Sequence, residues 1–279
     1  MITEKVISDS LNEVITKENK VVVIYSGLWT FISKIKFQNP NIGKIILNLI
    51  EKFIGENRTL IIPSFSSKSF SRSKKFDLKR TIDRNNGIIS LEAFNKNYYR
   101  TPQPLHSYLV FGKEIKEIKE IKKLKFETSW GKSSLLSYMS KKNARICTLG
   151  LPWNQGCAYL HSYEEKYQVP WRYYKKFEGA MYSNAVKIGT YKEVKYCSPK
   201  SGILNYDFFP LIKKIKKSNS FKKNTSKEFT FESIEAKCLD KIGKIFFSKN
   251  PWMIVKNKNE VKNWIKKEKN LEYSESLKV

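Results

Sequence analysis

The chain has 279 residues, 41% of them hydrophobic and 14% aromatic, which excludes a disordered polymer and leaves room for a large core in one α/β domain or two small ones. Its formal net charge is +27, from 53 basic residues, only seven of them arginine, against 26 acidic ones, so a solvated lysine coat is favoured over a surface built to read bases or phosphates. No run of 18 apolar residues, no apolar leader and no Cys-x-x-Cys pair occurs, which argues against a membrane span, a secretory signal and a zinc site, and for a cytoplasmic chain whose Cys147, Cys157, Cys197 and Cys238 are reduced.

In chain order, residues 21–25 are a β-branched run ending at Ser26-Gly27, the pattern of a buried strand and a turn. Residues 44–54 carry Ile46, Leu47, Leu49, Ile50 and Phe53 on one face, which predicts an amphipathic helix. Residues 59–63 form the next strand, closed by Pro63. Strand, helix, strand predicts a parallel α/β unit. Residues 64–86 are polar and basic and read as a long ordered surface loop. Strands follow at 107–111 and 144–149, with a helix at 133–142 between them. The Ile/Lys/Glu stretch at 113–122 has a period of three that fixes no state. Residues 155–168 predict one helix with Asn154 as N-cap. Residues 169–198 alternate like antiparallel strands, 208–217 and 233–247 read as helices, and the tail from about 268 reads as loose. The expectation for residues 1–279 is a single α/β domain with a central mixed sheet flanked by helices.

The chain holds two histidines, His106 and His161, and histidine is the side chain that gains or loses a proton near neutrality without special help. On a helix His161 faces Glu164 at i+3 and Glu165 at i+4. A carboxylate one turn away orients an imidazole and stabilises its protonated form, as a general base requires. The same spacing also makes an ordinary surface pair worth about 0.2–0.5 kcal/mol. Cys157, at i−4, is either a thiol nucleophile beside a histidine or a small buried residue. His106, just before a strand, is either a second acid/base or substrate contact or a satisfied structural histidine. Ser26-Gly27 either offers backbone N–H groups to a phosphate or makes a plain turn. Two histidines and scattered cysteines form no metal ligand set.

Taken in order, segments between about residues 20 and 180 resemble the aminoglycoside 3-N-acetyltransferase family. Tyr25-Ser26-Gly27-Leu28 is similar to the family's His-Ser-Ser-Leu turn, and Leu60–Phe65 to its apolar strand ending in proline. Phe76-Asp77 with Gly87-Ile88-Ile89 is similar to its Phe-Asp segment and later glycine. Arg100–Ser107 is similar to Arg-Ser-x-His-Pro-x-His-Ser, and Trp130–Leu135 to Phe-Gly-x-x-Ser-Pro-Leu. Leu149–Glu165 is similar to the strand and helix bearing Thr-x-x-His-x-x-Glu, followed by Val169-Pro170-Trp171-Arg172. Three positions depart from the pattern: Tyr25 and Gln103 stand where the family has histidines, and Cys157-Ala158 replaces Asn-Thr.

The resemblance implies acetyl transfer from acetyl-CoA, as co-substrate, to an amine. His161 would take the amine proton, Glu164 would orient it, and His106 and Ser107 would border the acyl or pantetheine channel. The diphosphate would lie near the turn at Tyr25, Ser26 and Gly27. The net charge of +27 attracts anions and repels polycations, so an anionic, nucleotide-linked amino sugar for polysaccharide synthesis ranks above an aminoglycoside as acceptor. A local acidic pocket from Glu164, Glu165 and Asp77 would reverse that order. A basic nucleic-acid-binding protein without catalysis is the reading of a different class, and it requires affinity that falls steeply with salt. The sequence leaves the oligomeric state open.

Overall fold

The computed structural model describes residues 2–35, 41–82, 84–121, 128–199 and 202–268; the tail read as loose lies almost wholly outside them. Among the described residues ten strands occur: β1 (Val21–Ser26), β2 (Thr59–Pro63), β3 (Lys75–Asp77), β4 (Tyr99–Arg100), β5 (Tyr108–Gly112), β6 (Arg145–Leu149), β7 (Tyr173–Ser183), β8 (Val186–Cys197), β9 (Lys222–Lys223) and β10 (Phe231–Glu235). Seven of them form one sheet in the order β4-β5-β2-β1-β6-β10-β9, and β3-β7-β8 form a second. The sheet is mixed. β1 pairs in parallel with β2 and β6, and antiparallel strands extend both edges.

The helices are α1 (Glu4–Val14), α2 (Ile42–Ile54), α3 (Ser67–Ser73), α4 (Ile88–Asn95), α5 (Ile115–Lys119), α6 (Leu135–Lys141), α7 (Trp153–Gly156), α8 (Ala158–Lys166), α9 (Phe209–Lys216), α10 (Ala236–Lys249) and α11 (Lys258–Glu268). Successive strand residues point to opposite faces, and β1 shows the consequence. Val22 and Ile24 pack with residues of α1 and α2 on one face, while Val21, Val23 and Tyr25 pack with α6, α8 and α10 on the other. This explains why β1 reads as an unbroken apolar run: both of its faces are covered. Each such side chain contributes roughly 1.5–3 kcal/mol when fully buried. None of the described helices is long and apolar enough to cross a membrane.

Three elements differ from the sequence expectation. The polar segment 64–86 contains α3 and β3, anchored by Phe70 and Phe76, both 0% exposed; one buried aromatic per element leaves no periodic signal. The helix expected from Ser233 begins at Ala236, because 231–235 is β10. That strand is disguised by buried polar groups: Glu232 accepts from Trp153 Nε1 at 2.9 Å, and Ser233 Oγ accepts from Arg145 Nε at 2.7 Å. The helix expected over 155–168 is broken, as described next.

Candidate active site

β6 lies inside the sheet between β1 and β10, and its chain leaves through Gly150-Leu151-Pro152. Gly150 has φ +70°, and a Cβ there would stand 2.4 Å from Phe31 Cε1 and 2.7 Å from the Gly27 carbonyl oxygen, so this close approach requires glycine. The first helical turn starts at Trp153, with Pro152 rather than Asn154 as N-cap. It stops at Gly156, a poor helix former, and Cys157 adopts φ −84°, ψ 88° before α8 begins. The break turns Cys157 inward, where it is 3% exposed. Burial pushes its thiol up to about 12, so it is no thiolate nucleophile at neutral pH.

On α8, Tyr159, Leu160, Tyr163 and Glu164 face the core and His161 stands at its edge, with 31% of its side chain exposed. Glu164 is wholly buried and accepts four hydrogen bonds. Its Oε2 takes His161 Nδ1 at 2.5 Å and Arg172 Nη2 at 2.8 Å; its Oε1 takes the Tyr206 hydroxyl at 2.7 Å and Trp171 Nε1 at 3.0 Å. Burial alone would raise this carboxyl, but the His161 ring and the Arg172 guanidinium outweigh it and hold it down at about 2. Arg172, itself 6% exposed, also donates to the Tyr196 carbonyl at 2.9 Å and to the Tyr206 hydroxyl at 3.1 Å. Burial works against its charge, and Glu164 more than offsets that.

A sharp reversal after α8 brings Trp171 and Arg172 back onto Glu164. Gln168 takes a left-handed φ of 46°, and the Val169 N–H closes on the Glu164 carbonyl at 3.0 Å. His161 packs edge-on against Tyr206 and Phe208, with ring centroids at 5.7 and 5.2 Å. Facing an ionised carboxylate, Nδ1 is the donor of the pair, which in the neutral ring leaves the lone pair on Nε2, and the ring's polar contacts among the described residues all fall on Nδ1. The arrangement is a fixed tautomer with a free basic nitrogen at the edge of a buried charge network. It can take a proton from a bound nucleophile.

His106 does not join this network directly. It is 7% exposed, and its ring lies 5.2 Å from Phe65 and 5.2 Å from Trp130. Its loop is tied down by Ser66 Oγ on the Pro104 carbonyl and Ser67 Oγ on the Leu105 carbonyl, both at 2.5 Å. Beside His106, Trp130 also meets the other cluster through Arg172, whose guanidinium lies 6.0 Å from its ring centroid. Its Nε1 is buried without a hydrogen-bond partner among the described residues. Ser107 is wholly buried and its hydroxyl is committed: it accepts from Arg100 Nε at 3.2 Å and donates to the Ser64 carbonyl.

Tyr25, Ser26 and Gly27 line a cavity of about 550 Å³ together with Trp29, Phe65 and Gln155. The Tyr25 hydroxyl is buried 3.4 Å from that of Tyr108, and burial raises its pKa well above the usual phenol. The Gly27 N–H is spent on the Leu149 carbonyl at 2.9 Å, and among the described side chains that line this cavity none is a lysine or arginine. A second, larger groove of about 850 Å³ is lined by Lys34, Lys213, Lys216, Lys217, Lys223 and Lys227, with Trp153, Phe209 and Glu232. No three metal-ligating side chains cluster among the described residues.

The sequence pointed to His161 and Glu164 through their spacing. Trp171 and Arg172 stood in a matching segment without a role, and Tyr206 carries no local signal at all. Among curated proteins no sequence matched the chain. The model of the family described as aminoglycoside 3-N-acetyltransferase matches residues 32–246. The solved structure of AAC-IIIb in a binary complex with CoASH superposes with a TM-score of 0.70 at 13% identity, covering 89% of this chain and 97% of that one. The YokD protein from Bacillus subtilis gives 0.69 at 15%, with 89% and 94% covered. AAC-VIa bound to sisomicin gives 0.66 at 11%, with 88% and 97% covered. At these identities the likeness is one of fold.

Proposed function

We propose, on the premise that this chain belongs to the aminoglycoside 3-N-acetyltransferase family, that His161 is the general base for acetyl transfer from acetyl-CoA to an amine of an aminoglycoside or related amino sugar. The chain is an N-acetyltransferase, and acetyl-CoA is its co-substrate. The observation that carries the residue assignment is the 2.5 Å bond from His161 Nδ1 to the wholly buried Glu164.

The reaction forms a C–N bond at the thioester carbonyl, breaks the C–S bond, and moves one proton from the amine to the departing thiolate. His161 Nε2 accepts that proton while Glu164 stabilises the resulting imidazolium. Arg172, Tyr206 and Trp171 keep Glu164 ionised and fixed, so the imidazole is aimed before substrate arrives. Transfer is direct, because the buried Cys157 thiol stays protonated. His106 and Trp130 pack together beside the network, and the buried indole N–H of Trp130 would have to be uncovered before a bound oxygen could accept from it.

The neighbour that binds sisomicin and the family's description favour an aminoglycoside-type acceptor over the nucleotide-linked amino sugar suggested by net charge. The second acceptor keeps one specific observation in its favour, the lysine-lined groove reached from Phe208. The test is a mass-spectrometric and CoA-release screen with acetyl-CoA and three acceptors: a 2-deoxystreptamine aminoglycoside, a free amino sugar and a nucleotide-linked amino sugar. The proposal expects a singly acetylated aminoglycoside at the highest kcat/KM. Acetylation of none of the three, with acetyl-CoA intact, would overturn it.

A further inference from the structure

Gln103 is one of the three departures from the family pattern, and the proton transfer at His161 makes no use of it. Only 7% of the residue is exposed, so its side-chain amide has left bulk water. The Gln103 backbone N–H closes on the Thr101 carbonyl at 2.8 Å, while the side-chain amide has no hydrogen-bond partner among the described residues. Its neighbours in the loop are paired. Thr101 Oγ1 accepts from the Tyr108 N–H at 2.9 Å, and the Leu105 N–H donates to Glu193 Oε2 at 3.4 Å. A buried amide without a partner is costly, so this one calls for a group that the chain itself does not supply.

Gln103 lines a cavity of about 280 Å³ enclosed by the loop that follows β4, by α5, by the first residue of α6 and by the β7-β8 hairpin. Ile118, Leu135, Met181, Tyr99 and Tyr191 make its wall mainly apolar, and among the described residues no charged side chain lines it. Taking an ion out of water into such a space is strongly unfavourable, which selects an uncharged ligand. A cavity of only about 150 Å³ already holds a benzene ring, so this one takes a ring with a substituent. The wall suits a ring as well: tyrosines offer faces and edges to an aromatic partner, and a methionine thioether moulds itself to one. The Gln103 amide can both donate and accept, and a carboxamide on the ring would satisfy it in both senses. Neither His161, Glu164 and Arg172 nor the lysines of the large groove line this cavity.

We infer that the cavity at Gln103 is a binding site for a small uncharged aromatic molecule whose carboxamide or carbonyl group pairs with the Gln103 side chain. Binding there is measured without acetyl-CoA, so a failed acetylation assay leaves it untouched.

The experiment is a two-dimensional NMR titration of the isotope-labelled chain with benzamide, toluene and benzoate. Benzamide should shift the Gln103 side-chain amide resonances saturably. It should bind at least about 10-fold more tightly than toluene, as expected for a hydrogen bond to a group otherwise unpaired, and more tightly than the charged benzoate. Gln103→Leu keeps the apolar wall and removes the amide, so toluene should still bind and the advantage of benzamide should shrink below about 3-fold. Should that variant not fold, the titration of the unaltered chain decides alone, because both the location and the toluene comparison are read there. No saturable binding of benzamide, binding that leaves the Gln103 side-chain resonances unmoved, an affinity for toluene or benzoate equal to that for benzamide, or an undiminished benzamide advantage in a folded Gln103→Leu variant would each overturn the assignment.

Discussion

The His161 cluster and the lysine-lined groove meet at the Phe208-Phe209 step, and they hold charge in opposite ways. In the cluster, Glu164 and Arg172 are 0% and 6% exposed and bonded to each other at 2.8 Å. In the groove, six lysines are exposed and most have no acidic partner among the described residues. A net charge of +27 therefore describes the second region and is silent about the first. Inferring an acceptor from net charge reads the lysine coat, whereas the proton-transfer chemistry is set by one carboxylate that the coat does not touch.

The largest contrast should appear in stability. Arg172→Leu leaves Glu164 buried with one fewer donor and its charge uncompensated, which should cost about 3–5 kcal/mol. Lys213→Ala, on the groove, should change stability by no more than about 0.5 kcal/mol. Urea unfolding of both variants checks this, and equal effects would break the comparison.

Acid is the next probe. The Glu164 carboxyl, ordinarily near 4.5, is held at about 2 in the folded chain, so its contribution is fully present above about 4.5 and is lost as the pH falls towards 2. The expected loss from this one group is roughly 3 kcal/mol, and it should be missing from the acid-unfolding profile of Glu164→Gln. An identical profile in the variant would place the acid sensitivity elsewhere.

The smallest effect concerns Trp130, whose buried indole N–H has no partner among the described residues. Trp130→Phe removes that unpaired donor but also part of the ring's packing on His106, so the two terms should offset to within about 1 kcal/mol. If a bound oxygen accepts from the indole, acetylation should also slow by up to about 10-fold. A thermal melt and a CoA-release assay on the same sample separate the two effects; a less stable variant with normal turnover would make Trp130 purely structural.

Legibility in the sequence followed the same divide between local pattern and long-range assembly. β1, β2, β5 and β6 announced themselves because burial on both faces demands apolar, mostly β-branched runs. β10 did not, because Glu232 and Ser233 are polar residues buried against Trp153 and Arg145. His161 and Glu164 were readable as an i,i+3 pair on one helix. Arg172 reaches them only through the left-handed turn at Gln168, and Tyr206 arrives from 42 residues beyond Glu164. The Ser26-Gly27 turn matched a family segment, yet its glycine amide is bonded internally to the Leu149 carbonyl, a long-range pairing that the local sequence does not show.

His161 as the base is the step on which the proposed acetyl transfer depends. The direct measurement is the initial rate of CoA release by His161→Ala with acetyl-CoA and the best acceptor from the screen, alongside its melting temperature. Glu164 keeps three donors in that variant, namely Arg172, Tyr206 and Trp171, so the fold should melt close to the parent. The rate should fall by roughly 10²–10⁴. A folded variant that turns over at nearly the parent rate would contradict the assignment.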